Sequence, residues 1–89
     1  MSVSEPVHHF SLQAVDNEKL AILCGQFNSN IKQLEKHFNT RIMHRGGDFT
    51  VFGSKGLTSQ VEKAVQDLYA HAVDGDELDM ATVHVTLQH

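Results

Sequence analysis

The sequence is poor in the residues that mark several large classes of protein. It has one cysteine, Cys24, so no disulfide can form within the chain, and it has one proline and no tryptophan. No apolar run approaches the roughly 18 residues that span a bilayer as a helix. The N-terminus also lacks the basic start and apolar centre of a secretory signal. These absences predict a protein of the cytoplasm, without membrane contact.

The length and composition predict one small globular domain. The chain has 89 residues, of which 40% are hydrophobic, and its formal net charge is −4. A negative balance argues against strong non-specific binding to phosphate backbones, which depends on Lys and Arg. The charge is uneven, however: residues 31–56 hold five cations and two acids, whereas the rest holds two lysines and nine acids. The middle third is therefore basic and both flanks are acidic.

The first third of the chain predicts a strand followed by a helix. Phe10, Leu12 and Ala14 alternate, which indicates a half-buried strand over 7–14. Asp16 or Asn17 is a suitable N-cap for a helix that Gly25 ends. Its apolar stripe consists of Leu20, Leu23, Cys24 and Phe27. We expect Phe27 to continue the buried stripe past the helix end.

A second amphipathic helix and a hairpin are predicted next. Ile31, Leu34 and Phe38 form the stripe of the helix, which Asn39 ends, and its cap is expected among residues 28–30. The strands "TRIMHR" and "DFTVFG" are joined by the turn Gly46-Gly47. Gly-Gly between two alternating runs favours a two-residue hairpin turn.

The remaining residues predict a long helix and a short final element. The long helix is expected over 57–72, with Gly75 closing it and a capping-box spacing from Ser59 to Glu62. Its apolar stripe consists of Leu57, Val61, Ala64, Val65, Leu68 and Ala72. After the acidic stretch "DGDELD", periodicity fits either a strand or a helix over 80–88. The whole order predicts an α+β fold, with one three-stranded antiparallel sheet and helices on one face.

That order, β-α-α-β-β-α with a glycine-bearing loop between the first two helices, resembles the type I KH arrangement. In KH domains a GXXG loop clamps the backbone of about four nucleotides. Here "GQFNSNIKQLEKHFNTRI", residues 25–42, is similar to the KH loop, second helix and following strand, with Asn28 in place of the second glycine. "FTVFG", residues 49–53, is similar to the next strand.

A closer resemblance covers nearly the whole chain. The segments "DNEKLAILCGQFNSNIKQLE", "HRGGDFTVFGS" and "VEKAVQDLYA" resemble the N-terminal domain of PhoH-like proteins. These are cytoplasmic, predicted nucleotide-hydrolysing ATPases of bacteria, linked to phosphate starvation and to RNA metabolism. The resemblance implies that residues 1–74 are a KH-like domain, and that residues 75–89 are an acidic connector and C-terminal element leading to an ATPase domain.

The phosphate loop of such an ATPase is not in this sequence. The pattern G-x-x-x-x-G-K-[ST] does not occur, and "GSKGLTS", residues 53–59, has the wrong spacing. The resemblance therefore assigns ATP and Mg²⁺ to a domain outside this chain and implies no cofactor within it. Catalysis by these residues is not expected.

The loop and its basic surroundings form the candidate nucleic-acid site. The candidate residues are Gly25, Gln26, Phe27, Asn28, Ser29, Lys32, Lys36, Arg41 and Arg45. Free amides at the start of the second helix would bind a phosphate, with Lys32 and Arg41 nearby. About four or five phosphate contacts would give a salt slope of about −3 to −4. The competing interpretation is a tight turn between two helices that binds nothing.

The outer face of the sheet has two interpretations. Met43, Thr50 and Phe52 are predicted to line the face that points away from the helices. We expect residues 78–87 to cover it; the alternative is an exposed patch that docks the ATPase domain, another subunit or an RNA-processing partner.

Other reactive residues favour structural roles. Cys24 lies on an apolar stripe and is expected to be buried, and no Cys–His pairing is predicted. The seven histidines do not have metal-ligand spacing, since His8 and His9 point to opposite sheet faces and His84 and His89 are five residues apart. The favoured hypothesis is a non-catalytic module that binds single-stranded RNA weakly. The alternative is a docking or oligomerisation module that makes no RNA contact.

Overall fold

A computed structural model of the chain describes residues 7–13 and 15–88. Its three strands are β1 (Val7–Ser11), β2 (Arg41–Arg45) and β3 (Asp48–Phe52). Its α-helices are α1 (Asn17–Cys24), α2 (Ser29–Phe38), α3 (Lys55–Val73) and α4 (Met80–Leu87). The strands form one antiparallel sheet in the order β1-β3-β2, which confirms the predicted α+β class. Two predicted positions, Ala14 of the first strand and His89, lie outside the described residues.

The inner face of the sheet is built around Phe49. Its register partners Phe10 on β1 and His44 on β2 lie on either side of it. The Phe10 and Phe49 rings stack with centroids 5.3 Å apart, and the His44 and Phe49 rings with centroids 5.1 Å apart. A row of three stacked rings therefore crosses the sheet beneath the helices.

The helices cover this inner face with the apolar stripes that the sequence predicts. The fully buried residues include Leu23, Leu34, Phe49, Val51, Val61, Val65 and Leu68. The predicted turn at Gly46-Gly47 joins β2 to β3, and Asn39 ends α2 at φ 51°. Asp16 caps α1 by accepting a hydrogen bond from the Glu18 amide over 2.8 Å.

The long helix α3 starts two residues earlier than predicted. The predicted capping box from Ser59 to Glu62 is wrong, because Ser59 lies inside the helix and its Oγ donates to the carbonyl of Lys55. The predicted end is confirmed: the Gly75 amide donates to Ala72, and Gly75 has a φ of 91°. Tyr69 of α3 accepts a hydrogen bond from the Asp16 amide over 2.9 Å, which connects α3 to the start of α1.

The C-terminal segment is a helix and does not cover the outer sheet face. The Asp79 carboxylate accepts a hydrogen bond from the Thr82 amide over 2.7 Å, which starts α4 and lowers the pKa of Asp79. Leu78 and Val83 then join the core beside α2 and α3. The expectation that residues 78–87 cover Met43 is therefore wrong, since this segment buries its apolar residues against helices. Met43 is 54% exposed.

A buried amide connects three parts of the fold. Asn30, 3% exposed, donates from Nδ2 to the carbonyls of Ile22, Leu23 and Leu78 at 3.3, 3.1 and 3.0 Å. It thereby joins the start of α2 to the end of α1 and to the segment before α4. The sequence suggested Asn30 only as a possible cap.

Asn30→Asp is expected to destabilise the fold by about 2–4 kcal/mol, because a carboxylate would face three carbonyl oxygens and remain buried without a donor. Urea unfolding at neutral pH measures the change. Asn39→Asp is the matched control: Asn39 is exposed, Asp tolerates its left-handed conformation, and the cost should be at most about 1 kcal/mol. Equal losses in the two variants would contradict the role assigned to Asn30.

Candidate functional site

The loop between α1 and α2 is held in a strained conformation. Gly25, Phe27 and Asn28 have φ values of 78°, 56° and 59°. Residues Gln26–Asn28 form a single 3-10 turn, closed by a hydrogen bond from the Asn28 amide to the Gly25 carbonyl over 3.2 Å. Non-glycine residues rarely adopt positive φ, and two in succession carry a conformational cost.

Phe27 is the most exposed large apolar side chain in the loop. It is 86% exposed, so the prediction that it continues the buried stripe of α1 is wrong. Gly25 ends the helix after Cys24, and the left-handed turn then directs Phe27 into solvent. The helical spacing of Phe27 with Leu20 and Leu23 does not place it on the buried face, because α1 ends before Phe27.

The loop borders a groove with a volume of about 700 Å³. Asn17 and Ala21 of α1 form one wall, and the loop residues Gly25, Phe27 and Asn28 form another. Lys32 of α2 and His44 of β2 also line it. We call this space the loop groove.

His44 connects the sheet to the floor of the loop groove. Its Nε2 lies 3.4 Å from Asn28 Oδ1 and 3.6 Å from Cys24 Sγ, and its Nδ1 lies 3.3 Å from the Gly46 carbonyl oxygen. His44 was not among the predicted site residues. The available signal was its period-two spacing with Ile42, which places both side chains on the inner sheet face.

Cys24 and His44 form a pair that was not predicted from the sequence. Burial raises the pKa of the Cys24 thiol, so the thiol stays protonated at neutral pH, and its Sγ lies within hydrogen-bond distance of His44 Nε2. A buried, protonated thiol is a poor nucleophile. The geometry therefore supports the predicted structural role for Cys24.

The predicted basic patch is divided among three surfaces. Lys32 lines both the loop groove and a second groove against α4, whereas Lys36, one turn later on α2, lines the second groove and not the loop groove. Arg41 and Arg45 alternate along β2 with the inward-facing Ile42, so they lie on the outer sheet face. The expectation that Arg41 lies near a phosphate at the loop is therefore wrong.

The other predicted site residues also differ in position. Gln26 borders a depression on the far side of the loop, next to the acidic connector. Ser29 begins α2 and is exposed, and Asn28 precedes it without donating or accepting a side-chain cap hydrogen bond. The first amides of α2 thus have no side-chain cap from the predicted residue Asn28.

The outer sheet face is open over the part of the chain that the structure describes. Met43 is exposed, and Thr50 and Phe52 are half-buried. Thr50 Oγ1 lies 3.0 Å from His9 Nδ1 across the sheet. The three predicted docking residues therefore share one surface, together with Arg41 and Arg45 at their edge.

Metal-ligating groups occur only as pairs within residues 7–13 and 15–88. His8 pairs with Glu62, and His71 Nδ1 lies 2.9 Å from Asp76 Oδ2. No three His, Cys, Asp or Glu side chains of these residues converge on a common point. In the same residues, no helix combines the length and apolar character required to cross a membrane.

No protein-family model matches the chain. The resemblance to KH domains and to PhoH-like proteins therefore stays a prediction from the sequence.

Gly25→Ala is expected to destabilise the protein by about 2 kcal/mol or more. The φ of 78° disfavours any side chain, and a Cβ here would lie 2.7 Å from Ser29 Oγ and 2.9 Å from Asn30 Nδ2. Gly75→Ala is the control, because Gly75 also has a positive φ but an added Cβ would meet no atom within 4 Å. We expect it to cost about 1 kcal/mol. Thermal unfolding of both variants gives the comparison, and equal costs would show that the loop is not tightly packed around Gly25.

Proposed function

We propose that this chain is a non-catalytic, KH-like module that binds single-stranded RNA weakly through the loop groove. The observation that carries the proposal is the position of Phe27. A large aromatic ring is held 86% exposed, at positive φ, on the rim of a groove that a lysine also lines. Strained residues persist where the surrounding structure fixes them, and they concentrate at binding sites.

The chemistry of the groove suits a single strand better than a duplex. An exposed aromatic ring stacks on an unpaired base, and this contact is worth about 1–3 kcal/mol per base. Lys32 and the uncapped amides at the start of α2 are suited to a phosphate of the same strand. Asn28 Oδ1 and His44 add polar groups at the edge of the groove.

Binding is expected to be weak because Lys32 is the one Lys or Arg among the described residues that line the loop groove. Lys36 lies on a neighbouring surface and the two arginines lie on the outer sheet face. About one or two phosphate contacts give a salt slope of about −1 for a single strand, in place of the steeper slope expected from sequence. In a PhoH-like protein, such weak binding would hold RNA beside the ATPase domain.

A second candidate is docking of a protein on the open outer sheet face. Met43 at 54% and Val7 at 46% leave apolar surface there. This face also carries Arg41, Arg45 and Asp48, so it is mixed in character. None of the described residues on this face is an exposed aromatic residue at positive φ, as Phe27 is, and we therefore rank this candidate second.

Titration of a labelled single-stranded oligouridine at low salt tests the RNA proposal. Phe27→Ala should weaken binding roughly tenfold, because the stacking surface is lost, and Lys32→Glu should weaken it further. Asn28→Gly should strengthen binding, since it removes a side chain where a phosphate approaches and relieves the cost of φ 59°.

Two control variants keep that experiment specific. Lys55→Glu changes the net charge as Lys32→Glu does, at an exposed position on α3, and Met43→Asp alters the outer sheet face. Both should bind the oligonucleotide nearly as the parent protein does. If no variant binds at low salt, the RNA proposal is wrong. If Met43→Asp abolishes binding while Phe27→Ala does not, the outer sheet face is the functional surface.

A further inference from the structure

A second groove lies between α2 and α4, next to the loop groove, and Lys32 lines both. It has a volume of about 800 Å³ and is lined mainly by Lys32, Lys36, Met80, Ala81, His84 and Val85. We call it the α2–α4 groove. Its exposed lining surface is mostly apolar, and its polar side chains are those of Ser29, Lys32, Gln33, Lys36 and His84.

The helix α4 is more apolar than its surface position requires. Val83 is fully buried, but Met80 is 72% exposed and Val85 is 57% exposed. A surface helix usually directs polar residues towards solvent, so exposed apolar residues that border a concave surface indicate an interaction site.

The two helices that form the α2–α4 groove are held together by a hydrogen bond and by core packing. Gln33 Nε2 of α2 donates to the Met80 carbonyl over 3.2 Å. Leu78 and Val83 anchor α4 in the core on either side of that bond. A preformed groove lowers the entropic cost of binding a partner.

The charge around the groove is opposite in sign to that of the chain. Lys32 and Lys36 are exposed one turn apart on α2, and none of the described residues that line the groove is acidic. Asp76 and Glu77 border a different depression, next to α1 and Gln26. Asp79 precedes Met80, and its carboxylate caps the Thr82 amide. On a chain with a net charge of −4, this surface is complementary to carboxylates.

We propose that the α2–α4 groove binds an acidic amphipathic helix of a partner protein. The apolar side chains of that helix pack on Met80 and Val85, and its carboxylates pair with Lys32 and Lys36. Helices commonly bind in grooves between two helices through apolar residues at i, i+3, i+4 and i+7. The eight residues of α4 extend over about 12 Å, enough to contact about two turns of the partner helix.

Selection from a library of displayed random peptides of about 16 residues tests this proposal, since such peptides are long enough to form four helical turns. The full chain is the bait. The enriched peptides should carry Asp or Glu beside apolar residues at helical spacing. Amide resonances of Lys36, Met80 and Val85 should shift on titration with a synthetic copy of the best peptide.

Two pairs of variants make the test specific. Val85→Asp should weaken the selected peptide at least tenfold (about 1.4 kcal/mol), whereas Val73→Asp, an equivalent change at an exposed valine on α3, should leave binding unchanged. Lys36→Glu should weaken binding at low salt more than Lys55→Glu does. All four positions are exposed, and circular dichroism should show that each variant folds.

Several outcomes would overturn the proposal. They are failure to enrich any peptide, enrichment of basic or purely polar peptides, and equal effects of Val85→Asp and Val73→Asp. Weaker oligouridine binding by Val85→Asp without peptide binding would assign the groove to RNA. Concentration-dependent shifts at Met80 and Val85 without added peptide would assign it to a second copy of the chain.

Discussion

The arrangement of the helices depends on the hydrogen bonds that the buried side-chain amide of Asn30 donates. It lies at the start of α2 and donates to carbonyls at the end of α1 and in the segment before α4. One buried group therefore determines how closely three segments approach. Because a buried donor without a partner costs about 1–3 kcal/mol, slippage of any of these segments is opposed.

This constraint explains the form of the loop. With α1 and α2 held together, the four residues from Gly25 to Asn28 must reverse the chain over a short distance. Gly25 is needed because a side chain there would collide with Ser29 and Asn30, and Phe27 and Asn28 adopt positive φ to complete the turn. The consequence for function is that Phe27 is presented to solvent in a fixed position, while Asn28 lies against His44. Rigid presentation reduces the entropy lost when a ligand binds.

Much of the fold could be predicted from local patterns. The alternating strands and the stripe of α3 each follow from a periodic pattern within one segment. The Gly46-Gly47 turn follows from the ease with which glycine adopts positive φ between two such strands. The exposure of Phe27 could not be predicted in this way, since its spacing matched α1 but the backbone reverses at Gly25. The C-terminal helix was ambiguous because nine residues fit both periods, and its packing depends on contacts with α2 and α3 that no local repeat encodes.

The candidate site was predicted less completely than the fold. The sequence correctly placed Lys32 beside the loop, but nearness along the chain does not place cations on one surface. Arg41 follows α2 closely, yet strand alternation turns it to the other face of the sheet. His44 is distant from the loop in sequence, and it reaches the loop because β2 packs against α2 and its ring extends to Cys24 and Asn28. Asn30 had one available signal: it is a polar residue four positions before Leu34, on the apolar side of α2.

Asn30 and Gly25 hold the loop rigid before any ligand binds. Backbone ¹⁵N relaxation of the free protein measures this most directly, through the order parameters of the Gln26, Phe27 and Asn28 amides. We predict values of about 0.85, equal to those of the flanking helices α1 and α2. Values below about 0.6 at these three amides, with α1 and α2 remaining rigid, would contradict the claim that Asn30 and Gly25 hold Phe27 in place.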